Sequence, residues 1–249
     1  MSAMETERVR LRFTQAGEGT AQVMALREPS GRDELALNGV DTSSALQLID
    51  RLLRGSPSRS AVLTAAGICA ADRDALLAAL HRLCWGDRIL STLTCSDCGE
   101  RFDLSFQLST LQRELYASQG DLPRWRLPLG EDELSCCENR SLEEGARVLA
   151  HACGASSGEL EQAATALERA APILDVDLNA NCPECGHEQL AHFDLQSFLL
   201  QRLLAERESL LDEVHLLAEQ YGWSLREILS LTRSARRSLV RRIRDRRRS

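Results

Sequence analysis

Cys95-Ser96-Asp97-Cys98-Gly99 and Cys182-Pro183-Glu184-Cys185-Gly186 decide the fold, because each is a C-x-x-C-G turn and together they supply four thiols. In such a knuckle a tight turn aims two sulfurs at one point, and the glycine that follows permits a positive φ. Cys95, Cys98, Cys182 and Cys185 make the closed tetrahedral ligand set of one structural Zn2+. A closed set leaves no position for water, so the site is expected to hold the fold and not to catalyse. The knuckles are separated by 83 residues, against roughly 15–20 in a simple zinc ribbon. Closure entropy rises only with the logarithm of loop length, so that stretch costs about 1.5 kcal/mol more. Structural zinc supplies roughly 10–16 kcal/mol, and a split ribbon sharing one zinc is the expectation. A redox dithiol at Cys95 and Cys98 would need its C-x-x-C at a helix N-terminus, and the strand-like flanks argue against that.

Working outward, each knuckle follows a strand-like run, Arg88–Thr94 and Ile173–Asn179, and precedes Phe-Asp-Leu, at Phe102–Leu104 and Phe193–Leu195. This repeat predicts two half-ribbons that meet. Residues 1–40 read as an N-terminal β segment, with Val9, Leu11, Phe13, Val23 and Ala25 alternating and Pro29-Ser30-Gly31 as its turn. Residues 41–232 read as a helical core around the split ribbon. Asp41 or Thr42 caps a helix over Ala45–Leu53, the stretch Gly55–Ser60 breaks it, and Ala61–Ala71 is a short apolar segment. Asp72–Trp85 is the next helix, closed by Gly86 and turning Leu76, Leu77, Leu80 and Leu83 or Cys84 to a core. A helical insertion over about 107–172 separates the knuckles. It holds an irregular connector, Gln119–Asn139, then helices begun by Ser141–Glu144 and Ser156–Glu159. Asp194 caps the longest helix, expected to run unbroken to Gln220 before Gly222. The fold class is α+β and predominantly helical.

Residues 233–249 form a third unit, holding nine arginines against one aspartate, a local charge of +8. The formal net charge is −7, which leaves about −15 on the body. Thr232 caps a terminal helix with the stripe Ala235, Leu239 and Ile243, while Ser224 and Glu227 form a capping box just before it. Trp223, Arg236, Arg237, Arg241, Arg242 and Arg244 are the candidate partner-binding residues. A nucleic-acid-binding regulator is the rival reading, with the Arg tail on phosphate. An acidic body and an aromatic content of 4% argue against it.

Composition removes several chemistries. All 30 basic residues are arginine, so a phosphate-binding loop ending in Lys, a lysine Schiff base and the kinase lysine are excluded. Gly154-Ala155-Ser156-Ser157-Gly158 matches G-x-S-x-G, but a helix precedes it where a nucleophile elbow needs a strand. His151 and Cys153 face different ways, His187 is a substitute ligand that four cysteines make unnecessary, and His81 and His215 read as helix residues. Cys69 and Cys84 read as small core residues, and the spacing of Cys136, Cys137 and Cys153 assigns them no role. No catalytic residues assemble. No apolar run approaches the roughly 18 residues of a membrane span, and Met1–Arg10 lacks an apolar leader core. The expected location is cytoplasmic or within a particle.

The order of features resembles the baseplate protein family of T-even phages and related contractile injection systems. The shared features are the N-terminal β segment, the run Ala71-Asp72-Arg73-Asp74-Ala75-Leu76-Leu77, a C-x-x-C followed by Phe-Asp, and Tyr221-Gly222-Trp223-Ser224-Leu225-Arg226-Glu227-Ile228-Leu229-Ser230-Leu231 before basic residues. These short motifs span most of the chain, and the long insertion between the knuckles departs from shorter members. The resemblance implies a non-enzymatic baseplate component or assembly factor that contacts other tail proteins.

Overall fold

A computed structural model describes residues 6–15, 21–53, 64–121, 123–137 and 141–248. The described residues form a mixed α/β molecule, mainly helical, with short antiparallel strand pairs. None of its helices is long and apolar enough to cross a membrane. β1 (Thr6–Gln15) pairs with β2 (Ala21–Arg27). Alternation turns Val9, Leu11 and Phe13 inward and leaves Arg8, Arg10 and Arg12 exposed. On β2 the expectation fails for Val23, which is 48% exposed, while Ala25 and Leu26 are buried. Pro29-Ser30-Gly31 is also not the hairpin turn. Ser30 instead N-caps α1 (Gly31–Ala36), because the Asp33 carboxylate accepts hydrogen bonds from its N–H at 2.8 Å and its Oγ at 2.7 Å.

Asp41 caps α2 (Thr42–Leu53), its Oδ1 accepting the Ser44 N–H at 2.7 Å. The Gly55–Ser60 break lies outside the described residues. α3 (Ala70–Trp85) follows a 3-10 turn at Ala65–Gly67 and stops at Gly86, whose φ is 85°. Leu76, Leu77 and Leu80 are all buried in the main core. The first turn of α3 departs from an ordinary amphipathic helix, since Asp72, Arg73 and Asp74 are all buried too. Each ties down a different segment. Asp72 accepts the β1 N–H groups of Arg12 (2.7 Å) and Phe13 (3.1 Å), and Asp74 accepts the Leu174 N–H at 2.6 Å. Arg73 Nη1 reaches both oxygens of Glu133 at 2.9 Å.

β3 (Arg88–Thr94) and β4 (Arg101–Gln107) form the first knuckle hairpin and lead into α4 (Leu108–Ala117). Part of the expected connector is helical, as α5 (Gly130–Cys136). Its Asp132 accepts the Leu129 N–H at 2.8 Å and binds Arg126 at 2.6 Å, which starts a helix in a segment without apolar periodicity. α6 (Leu142–Ala152) begins where Ser141 accepts the Glu144 N–H at 3.2 Å, and α7 (Leu160–Ala170) completes the insertion. β5 (Asp175–Asn181), two residues later than expected, pairs with β6 (Glu188–Asp194), and α8 (Leu195–Ala205) follows with Asp194 as its cap.

The internal repeat is real but differently aligned from the Phe-Asp-Leu match. A constant offset of 87 carries β3, Cys95, Cys98, β4 and α4 onto β5, Cys182, Cys185, β6 and α8. It also carries the Leu108 N–H to Asp87 carbonyl bond onto that from Leu195 to Leu174, both at 2.9 Å. Phe106 and Phe193 are thus equivalents, and their rings meet edge to face at 5.1 Å. Phe102 corresponds to Gln189.

The helix after β6 is two helices. Glu206 interrupts it, so α9 (Arg207–Tyr221) starts anew and ends at Gly222, φ 67°. The break lets the Glu206 carboxylate turn to Trp85 Nε1 at 3.0 Å, to Arg237 at 2.9 Å and to Arg233. The Ser224–Glu227 capping box starts α10 (Leu225–Ser230), and α11 (Arg233–Arg248) closes the described chain. Leu231 and Arg233 hydrogen-bond the Pro29–Gly31 backbone, bringing the terminal helix against the N-terminal elements.

Candidate metal centre

The two hairpins carry their cysteines at matching turns. The Cys95 N–H donates to the Glu100 carbonyl at 2.8 Å and the Cys182 N–H to that of His187 at 2.9 Å. Gly99 and Gly186, at φ 75° and 74°, bend each turn back on itself. The hairpins face one another, so sulfurs pair across them: Cys95 to Cys185 at 3.6 Å and Cys98 to Cys182 at 3.7 Å. All four Sγ atoms lie within 4.8 Å of one another and could bind a metal ion. An ion held by four thiolates at about 2.3 Å has ligand edges of about 3.8 Å, so the spacing fits. A disulfide would require about 2.05 Å, and all four cysteines are free thiols.

Electrostatics within the cluster are uneven. The N–H groups of Cys98 and Asp97 pull the Cys95 thiol down to about 6 against its burial. Cys185 is pushed up to about 12: the His187 N–H favours its thiolate, but burial and the sulfurs of Cys98, Cys95 and Cys182 outweigh it. Sulfurs this close cannot all ionise without a cation among them. Phe102, Ala180 and Ala191 pack beside Cys95 and Cys182 as a small apolar cluster. Gln189 crosses between the hairpins, its Oε1 accepting the Ser96 N–H at 2.9 Å and its Nε2 donating to the Thr94 carbonyl at 3.2 Å. No sequence signal marks this tie, since Gln189 is an ordinary half-buried strand residue. His187 is turned to Ser96 Oγ at 3.0 Å and is not among the clustered side chains.

The other candidate residues divide into buried and exposed. Arg236 is 1% exposed, with Nε on Glu213 at 2.6 Å and an Nη on Glu34 at 3.0 Å, so it is a core residue and offers nothing to a partner. Arg237 is half-buried and held by Glu206 and Glu213. Arg241, Arg242 and Arg244 are exposed on α11 around buried Val240 and Ile243. Trp223 is 37% exposed and stacks on Tyr221 at 4.9 Å and 23°.

The remaining motifs build no second centre. Ser156 Oγ is directed at Glu159, not at a histidine. Cys153 is buried and Cys137 exposed, and neither they nor Cys136 join a group of metal-binding side chains among the described residues. His81 is buried with Nδ1 at 2.9 Å from the Gly86 carbonyl, and burial first, then Arg202, lowers it to about 4. Comparison with protein-family models, with curated proteins and with solved structures finds no match to this chain, so its assignment rests on the four-cysteine cluster and the surfaces around it.

Proposed function

We propose that the chain is a zinc-stabilised, non-enzymatic binding protein of a phage-like baseplate or contractile injection apparatus, serving as a component or an assembly factor. The observation that carries this reading is the four-sulfur cluster joining two hairpins far apart in sequence. Cys95, Cys98, Cys182 and Cys185 would hold the ion, and an all-thiolate set suits zinc. When bound, zinc supplies structural cross-linking, because four protein ligands leave no position for a substrate. The two halves of a split ribbon then depend on each other for their metal. Partner contacts fall to the stacked Tyr221–Trp223 pair and to Arg241, Arg242 and Arg244. These suit an acidic protein surface with an apolar anchor point, in contacts that weaken with salt. Arg236 and Arg237 fix the helix that presents them. The tail-apparatus assignment comes from the Ala71–Leu77 and Tyr221–Leu231 resemblance.

Metal analysis of the purified chain, with its absorption spectrum, tests the ion: one colourless zinc is expected, whereas a coloured iron–thiolate site would overturn zinc. A nuclease-treated pull-down from native cells tests the function. Tail tube, sheath or wedge proteins should co-purify and be lost with Trp223→Ala combined with Arg241→Glu and Arg242→Glu. Recovery of nucleic acid or polymerase in their place would overturn it.

A further inference from the structure

The alternation that buries Val9 and Leu11 places Arg8, Arg10 and Arg12 on the opposite face of β1, successive members about 6.7 Å apart. That face does not look onto open solvent alone. Arg82 from α3 and Arg113 from α4 complete the wall of a cavity of about 490 Å3 with these three. Among the described residues none that lines it is acidic. The carboxylates close by are already engaged. Glu7 Oε1 takes Arg82 at 2.9 Å, Asp72 faces the β1 backbone, and Asp87 holds Ser109 through its N–H at 3.0 Å and its Oγ at 2.6 Å. Among the described residues, five arginines therefore line one concavity, and one carboxylate, Glu7, forms an ion pair with them, through Arg82. The chain as a whole is acidic, with a net charge of −7. Like charges gathered in a concave wall repel one another and focus a positive potential into the space between them.

We propose that this cleft between β1, α3 and α4 binds a compact polyphosphate anion, of the kind carried by an inorganic polyphosphate or a nucleoside triphosphate. Arginine forks match phosphate oxygens in pairs, and the volume lies within the roughly 300–1,000 Å3 of small-molecule sites. Arg8, Arg10 and Arg113 are exposed at the mouth. Arg12 lies over the Tyr116 ring at 4.6 Å, which holds its guanidinium in place. That same contact covers a face of the aromatic ring in the wall, and the Tyr116 hydroxyl is bonded to Gln112 at 3.2 Å and to the Ala71 carbonyl at 3.4 Å. The cleft thus lacks the open stacking platforms of a single-strand groove. A long polyanion would also have to run onto the acidic body. The phosphates are what this site reads.

Calorimetric titration of the full chain with tripolyphosphate, with ATP and with a single-stranded oligothymidylate of about 12 nucleotides separates these ligands. Each titration is run at about 50 mM and about 200 mM salt. Saturable one-to-one binding of tripolyphosphate is expected, weakening with salt. Arg10→Ala and Arg113→Ala should each weaken it roughly 10- to 100-fold, the range of a lost charge-assisted hydrogen bond. Arg246→Ala, outside the cleft, should leave it unchanged. Equal affinity for ATP assigns recognition to the phosphate chain alone, and tighter ATP binding adds the nucleoside to the same site. Both variants change exposed side chains, and unaltered circular dichroism and metal content would show them folded. Absence of saturable binding at low salt, or equal binding by wild type and both variants, overturns the proposal. Tighter binding of the oligonucleotide that rises with its length overturns it in favour of a nucleic-acid strand.

Discussion

Replacing Arg236 by alanine should destabilise the protein far more than replacing any exposed arginine of the same helix. The side chain is 1% exposed and is bonded to Glu213 at 2.6 Å and Glu34 at 3.0 Å, whose side chains are 7% and 4% exposed. Its loss leaves Glu34 with Arg233 and Glu213 with Arg237 alone, at 3.5 Å and from a side chain 37% exposed. Breaking one side of a buried ion pair costs about 3–5 kcal/mol, because the remaining charge stays desolvated. Arg244→Ala, on the solvent side, should fall within about 0.5 kcal/mol of wild type. With a urea slope of about 2–3 kcal/mol per molar, the Arg236→Ala midpoint should drop by roughly 1–2.5 M. Tryptophan fluorescence is an apt probe, since Trp85 lies under the Arg233 guanidinium at 4.8 Å and donates to Glu206. Because the pairs are buried, the loss should persist in high salt. An unfolding free energy within about 1 kcal/mol of the Arg244→Ala control would refute the claim that buried ion pairs dock α11.

Cys95→Ser and Cys182→Ser should each release the metal and lower stability, as judged by metal content and melting temperature; full metal retention in both would contradict a site shared between the hairpins. Burial raises the Asp74 carboxyl from 3.8 to about 7, despite the Leu174 N–H that favours its charge. Its contribution to stability is therefore complete below pH 3.8 and is lost as pH rises towards about 7. Asp74→Asn keeps an acceptor for Leu174 and should flatten the fall in stability over that interval, which urea midpoints at pH 5 and pH 7 would reveal; an unchanged slope counts against it. Gly222→Ala should cost about 1–2 kcal/mol, since nothing lies within 4 Å of the added Cβ and the positive φ of 67° alone opposes it. Gly222→Asn should recover part of that loss, and equal melting temperatures for all three forms would rule the explanation out.

Much of this architecture is written in local pattern. The two C-x-x-C-G turns place four sulfurs together, strand β3 falls where its residues predict, and the caps at Asp41, Ser141, Asp194 and Ser224 all start helices. What local pattern conceals is where charge goes. Arg236 and Asp72 look like solvated helix residues until tertiary partners on α1, α9 and β1 enclose them. The break at Glu206 likewise goes with bonds to distant Arg233, Arg237 and Trp85, and no helix-breaking residue marks it. The arginine row of β1 is visible as alternation, but its meeting with Arg82 and Arg113 depends on how α3 and α4 pack.

The offset of 87 between equivalent cysteines also sets a timetable for synthesis. At about 5–20 residues per second, the second knuckle leaves the ribosome roughly 4–17 s after the first. During that interval Cys95 and Cys98 could offer a metal ion only half of the four-sulfur set, with the helical insertion still being made behind them. Two thiolates would hold a metal far less firmly than four, so any ion taken up by the first hairpin would exchange readily until its counterpart arrives. A four-sulfur centre could thus be completed only late in the life of the nascent chain, after everything between the two hairpins has been made.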